Sequence, residues 1–156
     1  MRKGLITTSQ KDVPSRDEGW LDLDRTAVVE VTSEQKQYPV ESAFGAEAMQ
    51  GWRAADSGAQ TIRLIFDEPQ SLRRIALVFE ETEIERTQDF VLRWSGDCGG
   101  SFQEIVRQQW NFSPPNSMRD QEYQVDLSGV NVLELVIVPD IRGGLARAPL
   151  KSLRAS

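Results

Sequence analysis

The sequence predicts an all-β fold, an antiparallel sandwich or barrel, and three observations carry that prediction. From Ala27 onward apolar residues recur at every second position in seven or eight separate runs. That is the period of a strand with one buried face, because successive side chains point to opposite faces. Clusters of Gly, Pro, Asp and Ser separate the runs, and such residues at this spacing end strands rather than helices. No long helical segment lies between the runs, whereas parallel strands would need one at each crossover.

Taken in order, residues 1–19 are polar, without hydrophobic period, and read as an irregular N-terminal arm ahead of a single domain over residues 20–156. The first strand spans residues 27–33 with Ala27, Val29 and Val31 inward. Residues 40–50, rich in Ala and Glu, have room for a helical turn or two before Gly51. The next strands turn inward Ile62, Leu64 and Phe66, then Ile75, Leu77 and Phe79, then Phe90, Leu92 and Trp94. A strand over 102–110 follows, then Tyr123, Val125 and Leu127, then Leu133, Leu135 and Ile137, and a short final run over 150–154. Turns are expected at Asp67-Glu68-Pro69, at residues 95–100, at Ser113-Pro114-Pro115-Asn116, at Ser128-Gly129 and at Arg142-Gly143-Gly144.

Composition bounds the function. The chain has 156 residues, 24 acidic against 18 basic, net charge −6 and no histidine. An acidic surface repels nucleic acid and anionic membranes, so neither is an expected partner. Without histidine there is no Ser-His-Asp triad, zincin site or facial-triad iron centre, and a noncatalytic protein is expected. Cys98 is the single cysteine, so no internal disulfide is available. The first ten residues hold only two strongly apolar ones, Leu5 and Ile6, where a signal peptide needs about 7 to 15. No run approaches the roughly 20 apolar residues that span a bilayer. The expected compartment is the cytoplasm.

Four stretches then resemble the discoidin, or coagulation factor type C, branch of the galactose-binding-like jelly rolls. Val29-Glu30-Val31-Thr32-Ser33 followed by a long segment ending in Gly51-Trp52-Arg53-Ala54 is similar to the family's opening strand and tryptophan-closed loop. Residues 60–69 resemble its alternating strand and turn, and residues 90–105 its strand, Ser-x-Asp-Gly-Gly turn and following strand. Residues 132–138 and 148–154 look like its last long strand and terminal strand. The resemblance covers about residues 27–154. It implies a jelly-roll sandwich of eight or nine strands that binds ligands with loops at one end and performs no chemistry. Phe44-Gly45 stands where many members carry an Asp-Gly pair at a structural calcium, so no metal and no cofactor are expected.

Several side-chain groups are candidate sites. Glu80, Glu81, Glu83 and Glu85 precede Arg86 without a glycine to bend the backbone around an ion, so they read as a solvated connecting loop. Asp22 and Asp24 read as structural, Cys98 as an inert thiol without a histidine or lysine beside it, and the Gly99-Gly100 and Gly143-Gly144 pairs as tight turns. Trp94 and Trp52 read as core. The candidate ligand residues are Trp110 and Asn111, which border a proline-rich loop, with Arg53 and Arg142 in or beside loops. An aromatic ring supplies stacking area, an amide supplies direction, and a guanidinium forks onto hydroxyls or carbonyls. Packing of Trp110 in the core competes with this role. Carbohydrate is the ligand class that the resemblance suggests. A cytoplasmic protein-interaction or scaffold module with no sugar ligand is the alternative.

Overall fold

The computed structural model describes residues 19–44, 50–115 and 117–156, so the arm up to Glu18 and Gly45 to Met49 lie outside the described residues. A four-residue helix, α1 (Leu23–Thr26), leads into β1 (Ala27–Val31). A 3-10 turn (Val40–Ala43) occupies the start of the predicted helical stretch, and its Val40 and Ala43 are buried. Then follow β2 (Trp52–Ser57), β3 (Gln60–Glu81), β4 (Arg86–Ser95), β5 (Gln103–Phe112), β6 (Ser117–Val138), β7 (Arg147–Leu150) and β8 (Ser152–Ala155).

All pairings among these strands are antiparallel, in the order β1-β3-β6-β4-β5, with β8 added to β3 and a separate pair β2-β7. The first part of β3 pairs with the last part of β6, Ile62 opposite Leu135, and this half carries β1 and β4. The second part of β3 pairs with the first part of β6, Leu77 opposite Gln121, and this half carries β8. Register shifts between Ile65 and Arg74 mark the bend between the halves. Asp67-Glu68-Pro69 and Ser128-Gly129, read from sequence as strand ends, therefore bend two continuous strands. The partner strand bends with each, so pairing resumes beyond the irregularity and the ladder is only locally interrupted. The run over 150–154 is two strands, because Lys151 leaves the β7 pairing and donates its N–H to Val78 O at 2.8 Å. Strand β2 escaped prediction, since its buried positions are Trp52 and Ala54 and the second is too small to stand out as a strand signal.

Inward residues of both halves meet in one core. Phe79 of the second half lies 5.2 Å from Phe90 of the first, ring centre to ring centre, and Ile62, Leu64, Ile75, Leu77, Leu92, Leu135 and Ile137 are buried with them. Trp52 is buried too, its indole N–H donating to Ser33 O at 2.9 Å, which ties the long β1-β2 connection to the core. Trp94 is half-buried at the core margin rather than inside it.

The outward face of the first half carries a row of alternating charge. Glu30, Arg63, Glu134, Arg93 and Glu104 stand opposite one another across β1, β3, β6, β4 and β5. Arg63 donates to Glu134 from Nε at 2.9 Å and Nη2 at 2.6 Å and to Glu30 from Nη1 at 3.3 Å, and Arg93 Nε donates to the other oxygen of Glu134.

Candidate functional site

The connections after β3, after β5 and after β6 converge at one end of the sandwich, and a buried ion pair holds them. Arg86, the first residue of β4, donates from Nε to Glu81 Oε1 at 2.6 Å and from Nη1 to Gln88 Oε1 and Pro139 O, each at 2.8 Å. Its guanidinium lies 4.6 Å from the ring centre of Phe112. The second oxygen of Glu81 accepts the N–H groups of Glu83 at 2.9 Å and Ile84 at 3.1 Å. Burial raises the Glu81 pKa, but the hydrogen bond from Arg86 and those two N–H groups outweigh it, and the carboxyl stays below its ordinary range. One cation thus joins the end of β3, the end of β5 and the turn after β6. The acidic run is therefore only partly the solvated loop read from sequence. Glu83 and Glu85 are exposed, Glu80 sits 3.5 Å from Lys151 Nζ, and Glu81 is inside. Arg86, five positions on, is the nearest opposite charge in sequence.

On this base, Thr87 gathers two of the four predicted residues. Its hydroxyl donates to Asn111 Oδ1 at 2.6 Å, and its carbonyl accepts the N–H of Ile141 at 2.9 Å, next to Arg142. Arg142 is turned toward Asp140, whose Oδ1 accepts its backbone N–H at 3.1 Å and its Nε at 3.4 Å. Desolvation raises the Asp140 pKa, and the hydrogen bonds from Arg142 bring the net shift below its ordinary value. Asn111, Arg142 and the tips Ile84, Ile141 and Leu145 are exposed, with Leu145 at 87%.

Trp110 adjoins this group with its ring packed against the core margin. It is half-buried, and its ring meets Phe90 at 5.2 Å and Phe79 at 5.8 Å in edge-on contacts. Arg53 lies on a different element, β2 opposite Pro149, with its guanidinium 5.1 Å from the Tyr38 ring centre. The structure thus joins Asn111 to the Arg142 loop, sets Trp110 into the core margin beside them, and gives Arg53 its own setting. Sequence reasoning missed Thr87, Asp140 and the Glu81-Arg86 pair. Phe44 is buried and apolar, Gly45 lies outside the described residues, and no group of three or more His, Cys, Asp or Glu among them could hold an ion. Chemically the loop end offers fixed amide, hydroxyl, carboxylate and guanidinium groups beside aliphatic tips, a set suited to holding a polar ligand.

No family model and no curated protein sequence matches the chain. Solved structures do. The family 32 carbohydrate-binding module of C. perfringens NanJ, in complex with galactose, superposes with TM-score 0.63 at 13% identity, covering 87% of this chain and 96% of that one. The fold is galactose-binding-like. CBM32-3, from a family 31 glycoside hydrolase of Clostridium perfringens, is similar at TM-score 0.61 and 15% identity, covering 89% and 95% of the two chains. Chitosan-binding module 1, from a chitosanase/glucanase of Paenibacillus sp. IK-5, has TM-score 0.58 and 13% identity and covers 87% and 98%. This jelly-roll sandwich accommodates the continuous β3 and β6 and the end-on cluster of connections built on Arg86.

Proposed function

We propose that the chain is a noncatalytic carbohydrate-binding module whose ligand is held at the loop end by Asn111, Asp140 and Arg142. The observation that supports this is the near-complete overlap with carbohydrate-binding modules, 95 to 98% of their length in the three cases above. Function is carried by the site and not by the fold, so the side chains must make the case. Carboxylate and guanidinium groups beside exposed aliphatic tips match a sugar, whose ring has hydroxyls on its rim and C–H groups on its faces. The buried Glu81-Arg86 pair holds the surrounding connections in place and lowers the ordering cost of binding.

Isothermal titration against a panel of neutral, acidic and amino oligosaccharides tests the proposal, with Arg142→Ala and Asn111→Ala as variants. Binding by the wild type and at least tenfold weaker binding by each variant, at unchanged Tm, are expected. Absence of binding across the panel, with a protein partner captured through the same loop end, would replace it with the interaction-module alternative.

A further inference from the structure

At the opposite end of the sandwich, the β3 bend and the β4-β5 turn enclose a cleft of about 340 Å³. That size lies in the range of small-ligand sites, roughly 300 to 1,000 Å³. Its floor is apolar. Ile65 of β3 and Val132 of β6 stand opposite each other on the outward face, and Val28 of β1 extends their row to the sheet edge, where it is 57% exposed. One wall is Phe102 with Cys98 and Gly99, and the other is Asp67 with Pro69.

The polar groups on the rim are of both kinds. Arg63 spends three of its five N–H groups on Glu134 and Glu30, so among the described residues two remain. Asn131 accepts the Cys98 N–H at its Oδ1, 3.1 Å away, which leaves its NH₂ group as donor. Asp67 contributes an exposed carboxylate, which only accepts. An anionic ligand would satisfy the donors but face Asp67 and a net charge of −6. An ammonium ligand would satisfy Asp67 but face Arg63. Hydroxyls both donate and accept, so a ring bearing several of them satisfies all three residues while its C–H face covers Ile65, the half-buried member of the floor.

The rim is also preset. Arg63 is fixed by the charge row of the sheet, and Arg93 from the same row lies 4.9 Å from the Phe102 ring centre. Asp97 knits the turn, accepting from the hydroxyls of Ser95 at 2.6 Å and Ser101 at 2.8 Å. We propose that this cleft is a second ligand site, which takes a single pyranose with Asp67, Asn131 and Arg63 on its hydroxyls. The sugar class rests on the carbohydrate-binding function proposed above, whereas the place of the cleft is independent of it.

Cys98 lines the cleft, is exposed and is the chain's only cysteine, so it reports occupancy directly. The rate of its alkylation by N-ethylmaleimide is measured in the full chain with D-galactose, D-glucose, D-mannose or N-acetylglucosamine. A sugar that fills the cleft slows the reaction by a factor of 1 + [L]/Kd, about tenfold at ten times Kd. Asp67→Ala, a change at an exposed residue, is expected to abolish the protection at unchanged Tm, while Arg142→Ala leaves it intact. Sugar binding seen by calorimetry with no effect on Cys98 would overturn the second site and leave the loop-end proposal standing. Protection that disappears with Arg142→Ala but survives Asp67→Ala would likewise overturn it. No binding of any sugar by either measurement would overturn both.

Discussion

Arg63 Nη2 lies 2.6 Å from Glu134 Oε2, although Glu134 is 1% exposed in the middle of a sheet face that is turned outward. Arg63 and Arg93 flank the carboxylate from the neighbouring strands and are each 41% exposed, so the cations keep part of their hydration and the anion keeps almost none. The arrangement is asymmetric, and that makes its mutational response predictable.

Removing both arginines strands a desolvated charge, whereas removing the glutamate leaves two arginines that rehydrate by moving a short way. The Arg63→Met, Arg93→Met double variant is expected to lose about 3 to 5 kcal/mol, the usual range for an uncompensated buried charge. Glu134→Met is expected to cost clearly less. Urea unfolding of the three proteins checks the ranking, and the reverse order would contradict this account of the row.

Acid should weaken the β4-β5 turn. The Ser95 hydroxyl, then the Ser101 hydroxyl and backbone N–H, hold the Asp97 carboxyl down at about 2, from an ordinary 3.8. A carboxyl depressed on folding contributes stability above its unfolded pKa and loses it as pH falls through the folded one. The contribution is therefore present above about pH 4 and disappears toward pH 2. Glu81, also depressed, works in the same direction at the other end of the molecule. Tm followed from pH 6 to pH 2, where these magnitudes matter, should fall less steeply below pH 4 for Asp97→Asn than for the wild type.

Gly51 immediately precedes β2 with φ +77°, and a Cβ there would come within 2.7 Å of Leu150 O and 2.8 Å of Lys151 Cα. Both neighbours are backbone of the β7-β8 junction and cannot rotate away. Gly51→Ala should destabilise by about 1 to 3 kcal/mol. Gly58→Ala is the comparison, since its φ is +86° but nothing lies within 4 Å, and thermal melts of the two separate collision from backbone strain.

Trp110→Ala removes a ring lodged against Phe79 and Phe90, and a loss near 3 kcal/mol is expected, the low end of the range for such truncations because the ring is only half-buried. Trp110→Phe should recover most of it. If the phenylalanine variant also binds sugar normally while the alanine variant does not, the role of Trp110 is packing, and equal binding loss at recovered stability would assign the indole to the ligand.

The fold was legible because each inward set that period two picks out lies against the single core, from Ala27 and Val29 to Leu135 and Ile137. What the pattern could not show is where a strand bends and continues. Pro69 and Gly129 carry the same local signal whether the chain reverses or a paired ladder kinks, and only the partner strand decides. The loop-end site was half legible. Asn111 and Arg142 announced themselves by residue type, but Thr87 joins them through one hydroxyl and one carbonyl, which no composition or spacing encodes. Arg86 was hidden for a different reason: charged residues are almost never fully buried unless paired, and the pairing with Glu81 appears only once the connection after β3 closes.

Strands β3 and β6 each serve both layers, which has a consequence for the order in which the protein assembles. Gln60 must find Ile137 and Glu81 must find Ser117, so the second layer's ladder waits for the chain through Leu127 and the first layer's for the chain through Val138. A ribosome making this protein has β1 to β5 outside before either long strand has its partner, with the inward edge of β3 and one edge of β4 open. Contacts this distant in sequence are slow to form, and unpaired edges recruit other chains. Once β6 is complete it closes both edges, and one continuous strand ties the two layers together.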